Sequence, residues 1–240
     1  MHHEISYESL SDYVAVAAGR SFVKGCQLFK LKYTYVDVCE NDNGSAKCLE
    51  AGDATGQQGP LIHTVSKTRM PIPHLEQPIV SKAKPPFRVS FLEAQTIQTA
   101  QIVFSSQPAY TFENWDDCVR FQEALLAHKV IFVGGIAEAK SKGRGEECIS
   151  QNLRILQAPN GIQTIIFFAN SQRKERKQYI SIPVSCIDQI DQNKKPGRPI
   201  SLRLQPNFKL LSELKVLHIQ FLDDDDQKQF YKILCPNASG

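Results

Sequence analysis

The stretch that decides the fold is Tyr110–Leu126, YTFENWDDCVRFQEALL, because the chain repeats its design near its other end. Ile219–Cys235, IQFLDDDDQKQFYKILC, aligns with it at an offset of 109 residues. Each copy has a strand that ends in Phe, a cluster of Asn or Asp residues, and a helix with apolar residues at positions i, i+3 and i+4. The repeat predicts two domains of one kind, each closed by a C-terminal helix. Its apolar helix positions are Phe121, Ala124 and Leu125 in the first copy and Phe230, Ile233 and Leu234 in the second.

The polar cluster of each copy suits the start of a helix. Side-chain oxygens accept hydrogen bonds from the free backbone N–H groups there, and negative charge is favourable near the positive end of the helix dipole. We therefore expect Asn114 and Asp223 to cap the two helices. Consecutive carboxylates at a helix start fan around the axis and do not converge, so 223–226 is not predicted to be a metal site.

The chain has 240 residues, enough for two domains of about 110 residues each. We place the first at 1–127, with 1–20 as an N-terminal segment, and the second at 128–240. Several short antiparallel strands followed by one helix form an α+β pattern. Each domain is expected to be a bent antiparallel sheet or small barrel closed by its C-terminal helix.

Five local patterns give further expectations. Weak helical periodicity predicts that Ile5–Ala18 is a helix, or a helix leading into a strand. Alternating residues predict one strand over Gln27–Val38. Glu40–Pro60 and Gly134–Glu147, both rich in Gly and polar residues, are expected to be loops. Pro159-Asn160-Gly161 between two apolar runs predicts a β-hairpin.

Composition favours a globular protein of the cytoplasm or nucleus. Apolar residues make up 42% and charged residues 22% of the chain, and no apolar run approaches the roughly 18 residues of a membrane span. No basic and apolar leader is seen at the N-terminus, so we expect no secretory signal. The 7 cysteines form no CxxC pair, which is typical of reduced thiols.

Charge is unevenly distributed between the two predicted domains. Residues 1–127 contain 11 Lys or Arg and 14 Asp or Glu, whereas 128–240 contain 17 and 11, so the net charges are −3 and +6. A basic domain attracts phosphate-rich partners. The candidate anion-binding residues lie in three predicted loops: Lys140, Lys142 and Arg144; Arg173, Lys174, Arg176 and Lys177; and Lys194, Lys195 and Arg198.

Each of these loops also has a plainer interpretation as a solvated turn. The loop around Lys142 reads SKGRG and lacks the GxxxxGK[ST] pattern of a nucleotide-binding loop. Lys194–Pro199, KKPGRP, resembles the core of an AT-hook, but Pro196 stands where Arg normally precedes the Gly, and a Pro-Gly turn between strands is the simpler explanation. Nucleic acid is therefore not the expected partner.

No catalytic, metal or cofactor motif is found in the chain. The 6 histidines are scattered without HxxxH or HExxH spacing, and no GxSxG nucleophile motif occurs. We therefore predict that the protein is not an enzyme and has no cofactor and no bound metal.

A strand-rich domain closed by a helix with an aromatic residue near its start resembles the pleckstrin-homology (PH) fold. The repeat makes the chain similar to tandem PH-like proteins, and the run Phe121–Leu156 is similar to stretches of fungal proteins with such paired domains. PH domains commonly carry Trp in the closing helix. Trp115 lies at the start of the first helix, but Asp224 takes its place in the second.

The resemblance implies a binding scaffold, since members of the family bind proteins, phosphoinositide headgroups or histones. The first hypothesis is a protein-binding scaffold without catalytic activity. The alternative is that the basic second domain binds an anionic surface, either phosphoinositide membrane or nucleic acid.

Overall fold

A computed structural model of the chain describes residues 3–9, 13–17, 20–24, 28–40, 46–52, 59–65, 71–141, 145–170, 177–192, 198–205 and 215–236. The chain divides into two compact units. Unit 1 consists of 1–76 and 83–127, and unit 2 consists of 77–82 and 128–240. The closing helix of each repeat copy is the last helix of its unit.

Unit 1 is built from antiparallel strands and one helix, in the order β1 (His3–Ser9), β2 (Tyr13–Ala17), β3 (Arg20–Lys24), β4 (Leu28–Tyr33), β5 (Tyr35–Glu40), β6 (Ala46–Gly52), β7 (Leu61–Thr64), β8 (His74–Leu75), β9 (Phe87–Ser90), β10 (Gln95–Gln98), β11 (Val103–Phe112) and α1 (Trp115–Leu126). Its main sheet has nine strands, with seven in the path β4-β1-β11-β10-β7-β6-β5. Strand β9 pairs with β11 and with β8, while β2 and β3 form a separate hairpin.

The path in unit 1 is curled, so that its two edge strands come close at one point. Its edge strands β4 and β5 are consecutive in the chain, and only Thr34 separates them. Consecutive Cα atoms are about 3.8 Å apart, so Tyr33 and Tyr35 lie within about 7.6 Å of each other. In a flat sheet of seven strands, the two edges would be about 29 Å apart. The predicted single strand Gln27–Val38 is therefore wrong, since the chain breaks at Thr34 to reach the opposite edge.

Unit 2 has one seven-strand sheet and one helix, in the order β12 (Lys129–Ser141), β13 (Gly145–Gln157), β14 (Gln163–Ala169), β15 (Gln178–Pro183), β16 (Ile187–Gln192), β17 (Ile200–Leu204), β18 (Val216–Phe221) and α2 (Asp224–Leu234). The strand order is β15-β14-β13-β12-β18-β17-β16, all antiparallel. Here too the edge strands β15 and β16 are consecutive, joined by the short 3-10 turn Val184–Cys186. Two curled antiparallel sheets with one helix each confirm the predicted α+β class.

Both helices begin as the sequence predicts. The Oδ1 atom of Asn114 accepts a hydrogen bond of 2.7 Å from the backbone N–H of Asp116. The Oδ1 atom of Asp223 accepts bonds of 2.7 Å from Asp225 and 3.1 Å from Asp226. The two predicted caps are therefore confirmed.

The repeated Phe residues pack in the same way in both units. The rings of Phe112 and Phe121 are 5.1 Å apart between centroids at an interplanar angle of 48°. Those of Phe221 and Phe230 are 5.1 Å apart at 49°. Each pair joins the last strand of a sheet to its closing helix, and Phe230 also contacts Phe132 on β12 at 5.6 Å. The repeat in sequence is thus a repeat in packing.

Two predictions in the first half of the chain are wrong. Ile5–Ala18 does not form a helix, because β1 and β2 occupy it, and β1 pairs with β4 and β11. Its aromatic and β-branched residues suit strands, and pairing across the sheet outweighs weak local periodicity. Glu40–Pro60 is not a single loop, because β6 lies within it and pairs with β5 and β7.

The predicted loop Gly134–Glu147 is also wrong, because most of it belongs to β12 and β13. A glycine within a strand often marks the close approach of another backbone. A Cβ atom on Gly135 would lie 2.6 Å from the carbonyl oxygen of Ile79. The backbone N–H of Gly135 donates to that same oxygen at 3.2 Å. By contrast, the hairpin at Pro159-Asn160-Gly161 is confirmed, with Gly161 at a φ of 84°.

The segment Gln77–Lys82, which we call the strap, packs within unit 2 although strands of unit 1 flank it in the sequence. The side chain of Asn152 on β13 forms hydrogen bonds with the backbone of the strap at two points. Its Oδ1 atom accepts from the N–H of Ile79 at 2.8 Å, and its Nδ2 atom donates to the carbonyl oxygen of Gln77 at 2.7 Å. The side chain of Ile79 is buried. The strap is therefore a fixed part of unit 2.

We expect Phe230→Ala to lower the free energy of unfolding by about 3–5 kcal/mol, because it removes a fully buried ring between the sheet and α2. Urea denaturation followed by circular dichroism measures the loss. The control Ile162→Ala, at an exposed position of the same unit, should change stability by less than about 0.5 kcal/mol. Equal losses in the two variants would contradict the central position of Phe230.

Asn152→Ala should release the strap. The substitution leaves the N–H of Ile79 and the carbonyl of Gln77 without their Asn152 partner, at a cost of about 1–3 kcal/mol for a buried polar group. Hydrogen exchange at the Ile79 amide should become faster. The control Gln151→Ala, at the preceding position of β13, should leave that exchange rate unchanged. Unchanged exchange in Asn152→Ala would contradict the described hydrogen bonds.

Candidate functional site

The structure describes three of the ten candidate anion-binding residues, namely Lys140, Lys177 and Arg198. Lys140 lies on β12, where its Nζ atom is 2.6 Å from the Oε2 atom of Glu138, so its charge is partly compensated. Lys177 and Arg198 are both exposed. The other seven lie outside the described residues: Lys142, Arg144, Arg173, Lys174, Arg176, Lys194 and Lys195.

Strand register locates these three described cations. Lys140 lies near the end of β12, which runs antiparallel to β13, and Lys177 lies between β14 and β15. Alternating directions put both at the same end of the curled sheet. Strands β17 and β12 both pair antiparallel with β18, so they run in the same direction. Arg198 lies just before β17, where Ser201 is level with Lys140 through His218 of β18. Arg198 is thus near the start of its strand, whereas Lys140 is near the end of β12, and the three cations lie on or beside three different strands.

The acidic residues at the start of α2 have separate partners. Asp223 caps the helix, Asp225 forms an ion pair with Lys228 at 2.7 Å, and Asp226 lies 4.0 Å from Lys82 of the strap. Burial raises the pKa of Asp226, and the charge of Lys82 opposes that shift. In the described part of the chain, no three His, Cys, Asp or Glu side chains are grouped so that they could hold a metal ion.

The core of unit 1 contains a buried polar network that the sequence analysis missed. His63 on β7 lies between the hydroxyl of Tyr110, 2.9 Å from Nδ1, and the Oε1 atom of Gln95, 3.4 Å from Nε2. Gln95 donates through its Nε2 atom to the carbonyl oxygen of Glu93, so its Oε1 atom faces His63 as an acceptor. The Nε2 atom of His63 then donates to Gln95, and its Nδ1 atom accepts from Tyr110.

Burial controls the protonation of this network. It lowers the pKa of His63 to about 4, although the hydrogen bond to Gln95 opposes the shift, and it raises the pKa of Tyr110. His63 is therefore neutral at pH 7. The hydrogen bond between His63 and Tyr110 links β7 to β11 within the core. Both side chains are fully buried, so neither has a solvent-exposed surface for a substrate.

A cavity of about 410 Å³ lies between β5 and α1 of unit 1. Its apolar walls are formed by β5, the end of β11 and α1. Its charged groups are the carboxylates of Asp37 and Asp117 and the guanidinium of Arg120. We call it the β5–α1 groove. Its lining residues are Val36, Asp37, Val38, Phe112, Asp117, Arg120, Phe121 and Ala124.

Strand β5 is an edge of the seven-strand path and pairs with β6 on one side. Val36, Asp37 and Val38 of this strand all line the groove, and the two valines are half-buried whereas Asp37 is exposed. An edge strand directs N–H and C=O groups away from its neighbour, and another extended chain can pair with them. The groove thus combines an apolar cavity with a strand edge among the described elements.

The repeat shows how the two closing helices differ at the groove position. Ala124 aligns with Ile233 of the second copy, whose larger side chain packs against the core of unit 2. In α1, Phe121 and Leu125 are buried as predicted, but Ala124 is exposed and lines the cavity. The small Ala124 in place of Ile233 is the feature of the sequence that could have indicated the groove. The strand that completes the groove could not be identified from the sequence alone.

The chain matches no protein-family model, no curated protein and no solved structure. No helix within the described ranges is long and apolar enough to cross a membrane. The candidate function therefore depends on the geometry of the chain itself.

Acidification should destabilise unit 1 through His63. Its pKa is about 4 in the folded state against 6.5 in the unfolded chain, so between these values the unfolded state binds more protons. The contribution of neutral His63 to the free energy of unfolding is fully present above pH 6.5. It decreases as the pH falls, and about 3 kcal/mol of it is lost at pH 4. Trp115, the only tryptophan, reports unfolding of unit 1 by fluorescence.

The variant His63→Gln removes this titration while keeping a polar side chain. It should show a shallower loss of stability than wild type between pH 6.5 and pH 4, the two pKa values of His63. Identical slopes in the two proteins would show that His63 is not buried as a neutral group.

Proposed function

We propose that the protein is a protein-binding scaffold without catalytic activity, acting in the cytoplasm or nucleus, and that unit 1 binds an extended peptide in the β5–α1 groove. The observation that carries the proposal is the cavity between an edge strand and the closing helix. Peptides commonly add a strand to an exposed sheet edge, where backbone hydrogen bonds give affinity and side-chain pockets give specificity.

The groove favours a peptide with alternating apolar side chains and a basic residue. Apolar side chains would enter between Val36, Val38 and Phe121, where burial removes their surface from water. Asp37 and Asp117 outnumber Arg120 at the groove, and residues 1–127 carry a net charge of −3. A cationic residue in the peptide would therefore be attracted to this unit.

We also propose that the two units are PH-like. Support comes from unit 2, where four consecutive strands form one meander, three form a second, and β12 pairs with β18 before the closing helix. The shared Phe packing of the two closing helices extends the proposal to unit 1.

The alternative, binding of an anionic surface by unit 2, has less support from the described residues. Lys140 is paired with Glu138, and Lys140, Lys177 and Arg198 lie on or beside three different strands. Liposome co-sedimentation with and without phosphoinositides, across a range of salt concentrations, tests it. Headgroup-selective binding by wild type that is lost when Lys140, Lys142 and Arg144 are changed to Glu would favour this alternative.

Selection from a random-peptide display library on the full chain tests the proposed groove. We expect enrichment of peptides with alternating apolar residues and a Lys or Arg. Ala124→Arg places a long cationic side chain in the groove and should weaken the selected peptides at least about tenfold, or 1.4 kcal/mol. Fluorescence anisotropy with a labelled peptide measures the affinity.

The matched control is Ala94→Arg, which makes the same change at another exposed alanine of unit 1. It should leave peptide affinity within about twofold of wild type. Selection of no peptide, or equal weakening by the two variants, would argue against binding in the groove.

A further inference from the structure

Two cysteines face each other across the β5–β6 pair. Cys39 and Cys48 are direct partners in the antiparallel register. Residues directly opposite in such a pair point to the same face, with Cβ atoms about 4.5–5.5 Å apart. Their Cα atoms are about 4.5–5.5 Å apart, within the range of about 4.4–6.8 Å that a disulfide spans. The register therefore places the two thiols opposite each other on one face, and a disulfide requires their Cβ atoms to approach to about 3.5–4.5 Å.

The surroundings of the pair leave it accessible and acidic. Cys39 and Cys48 are both free thiols and half-buried. The next pair on the same face is Asp37 with Glu50. Burial raises the pKa of the Cys39 thiol, and a hydrogen bond to Cys48 and the nearby carboxylates add to the shift. A negatively charged reagent is repelled here, whereas a cationic one is attracted.

The other described cysteines are placed differently. Cys118 and Cys148 are fully buried. Cys186 lies in a 3-10 turn, and Cys235 follows α2. Neither of these half-buried thiols is paired in register with another cysteine in the described strands. The Cys39–Cys48 pair is thus the best placed of the described thiols to form an intrachain bond.

We propose that Cys39 and Cys48 are a redox modification site, oxidised to an intrachain disulfide by a cationic disulfide of low molecular weight. One thiolate attacks the reagent, forming a mixed disulfide and releasing one reagent thiol. The second thiolate then attacks the protein sulfur, forming the Cys39–Cys48 bond and releasing the other reagent thiol. Both protein thiols are oxidised, the reagent disulfide is reduced to two thiols, and the two protons pass to the reagent thiolates.

The bond would fix β5 on β6 at the last regular pair before a register shift, which occurs between Cys39 and Glu40. It would therefore limit movement of the strand that lines the β5–α1 groove. The disulfide itself does not depend on the proposed peptide binding, because it requires only the geometry of the β5–β6 pair.

The test treats the native full-length chain with cystamine, a cationic disulfide, and then blocks the remaining thiols with an alkylating reagent. Trypsin places Cys39 and Cys48 in different peptides, Tyr33–Lys47 and Cys48–Lys67, so mass spectrometry of the unreduced digest identifies the bond. We expect these two peptides to be linked at the summed mass less two hydrogen atoms. Unfolding in urea before oxidation should reduce this specific link at least about fivefold, because the β5–β6 register no longer holds the two thiols opposite each other and other cysteines compete for pairing.

Matched variants identify the two steps. Cys48→Ser should stop at the mixed disulfide on Cys39, whereas Cys186→Ser should form the link as wild type does. Oxidised glutathione, which is anionic, should react more slowly than cystamine, and added salt should reduce the difference. Absence of the link in native protein, or the same yield from native and unfolded protein, would overturn the proposal.

Discussion

The contact between the last strand and the closing helix is the constraint on which each unit depends. Phe112 with Phe121 and Phe221 with Phe230 have the same centroid separation and nearly the same angle. A curled sheet leaves an apolar interior open at one end. A helix that covers it is stabilised mainly by packing its own apolar face against that interior. The Phe pair supplies that face, while the Asn114 and Asp223 caps fix where each helix begins.

Curling also determines where binding surfaces can arise. In each unit the two edge strands of the path are consecutive in the chain, so a single short connection joins one edge of the curled sheet to the other. Strand β5 therefore comes to lie beside α1, although more than 70 residues separate Asp37 from Asp117 along the chain. Whether a groove remains between strand and helix depends on side-chain size, and Ala124 leaves space where its counterpart Ile233 packs on the core.

Features set by neighbouring residues could be predicted from the sequence, and those set by distant contacts could not. The helices, their caps and the hairpin at Asn160-Gly161 depend on local chemistry, and all were predicted. The loop prediction at Gly135 was wrong because the contact that requires a glycine there is with the carbonyl oxygen of Ile79, over 50 residues earlier in the chain. The bend at Thr34 likewise depends on which strands form the edges. Charge clusters suggested a site on unit 2, while the groove was missed because strand β5 and α1 meet only in the fold.

The two copies share a closing design but differ in what surrounds it. In unit 2, the strap lies along Gly135, and Asn152 and Asp226 hold its backbone and Lys82. Its helix position equivalent to Ala124 is filled by Ile233. In unit 1, that position is open next to an edge strand with exposed Asp37. A duplicated framework can keep one copy packed for stability while the other copy leaves space for a ligand, since packing and binding compete for the same apolar surface. The β5–α1 groove thus lies in the acidic first unit, whereas charge alone directed the sequence prediction to the basic second unit.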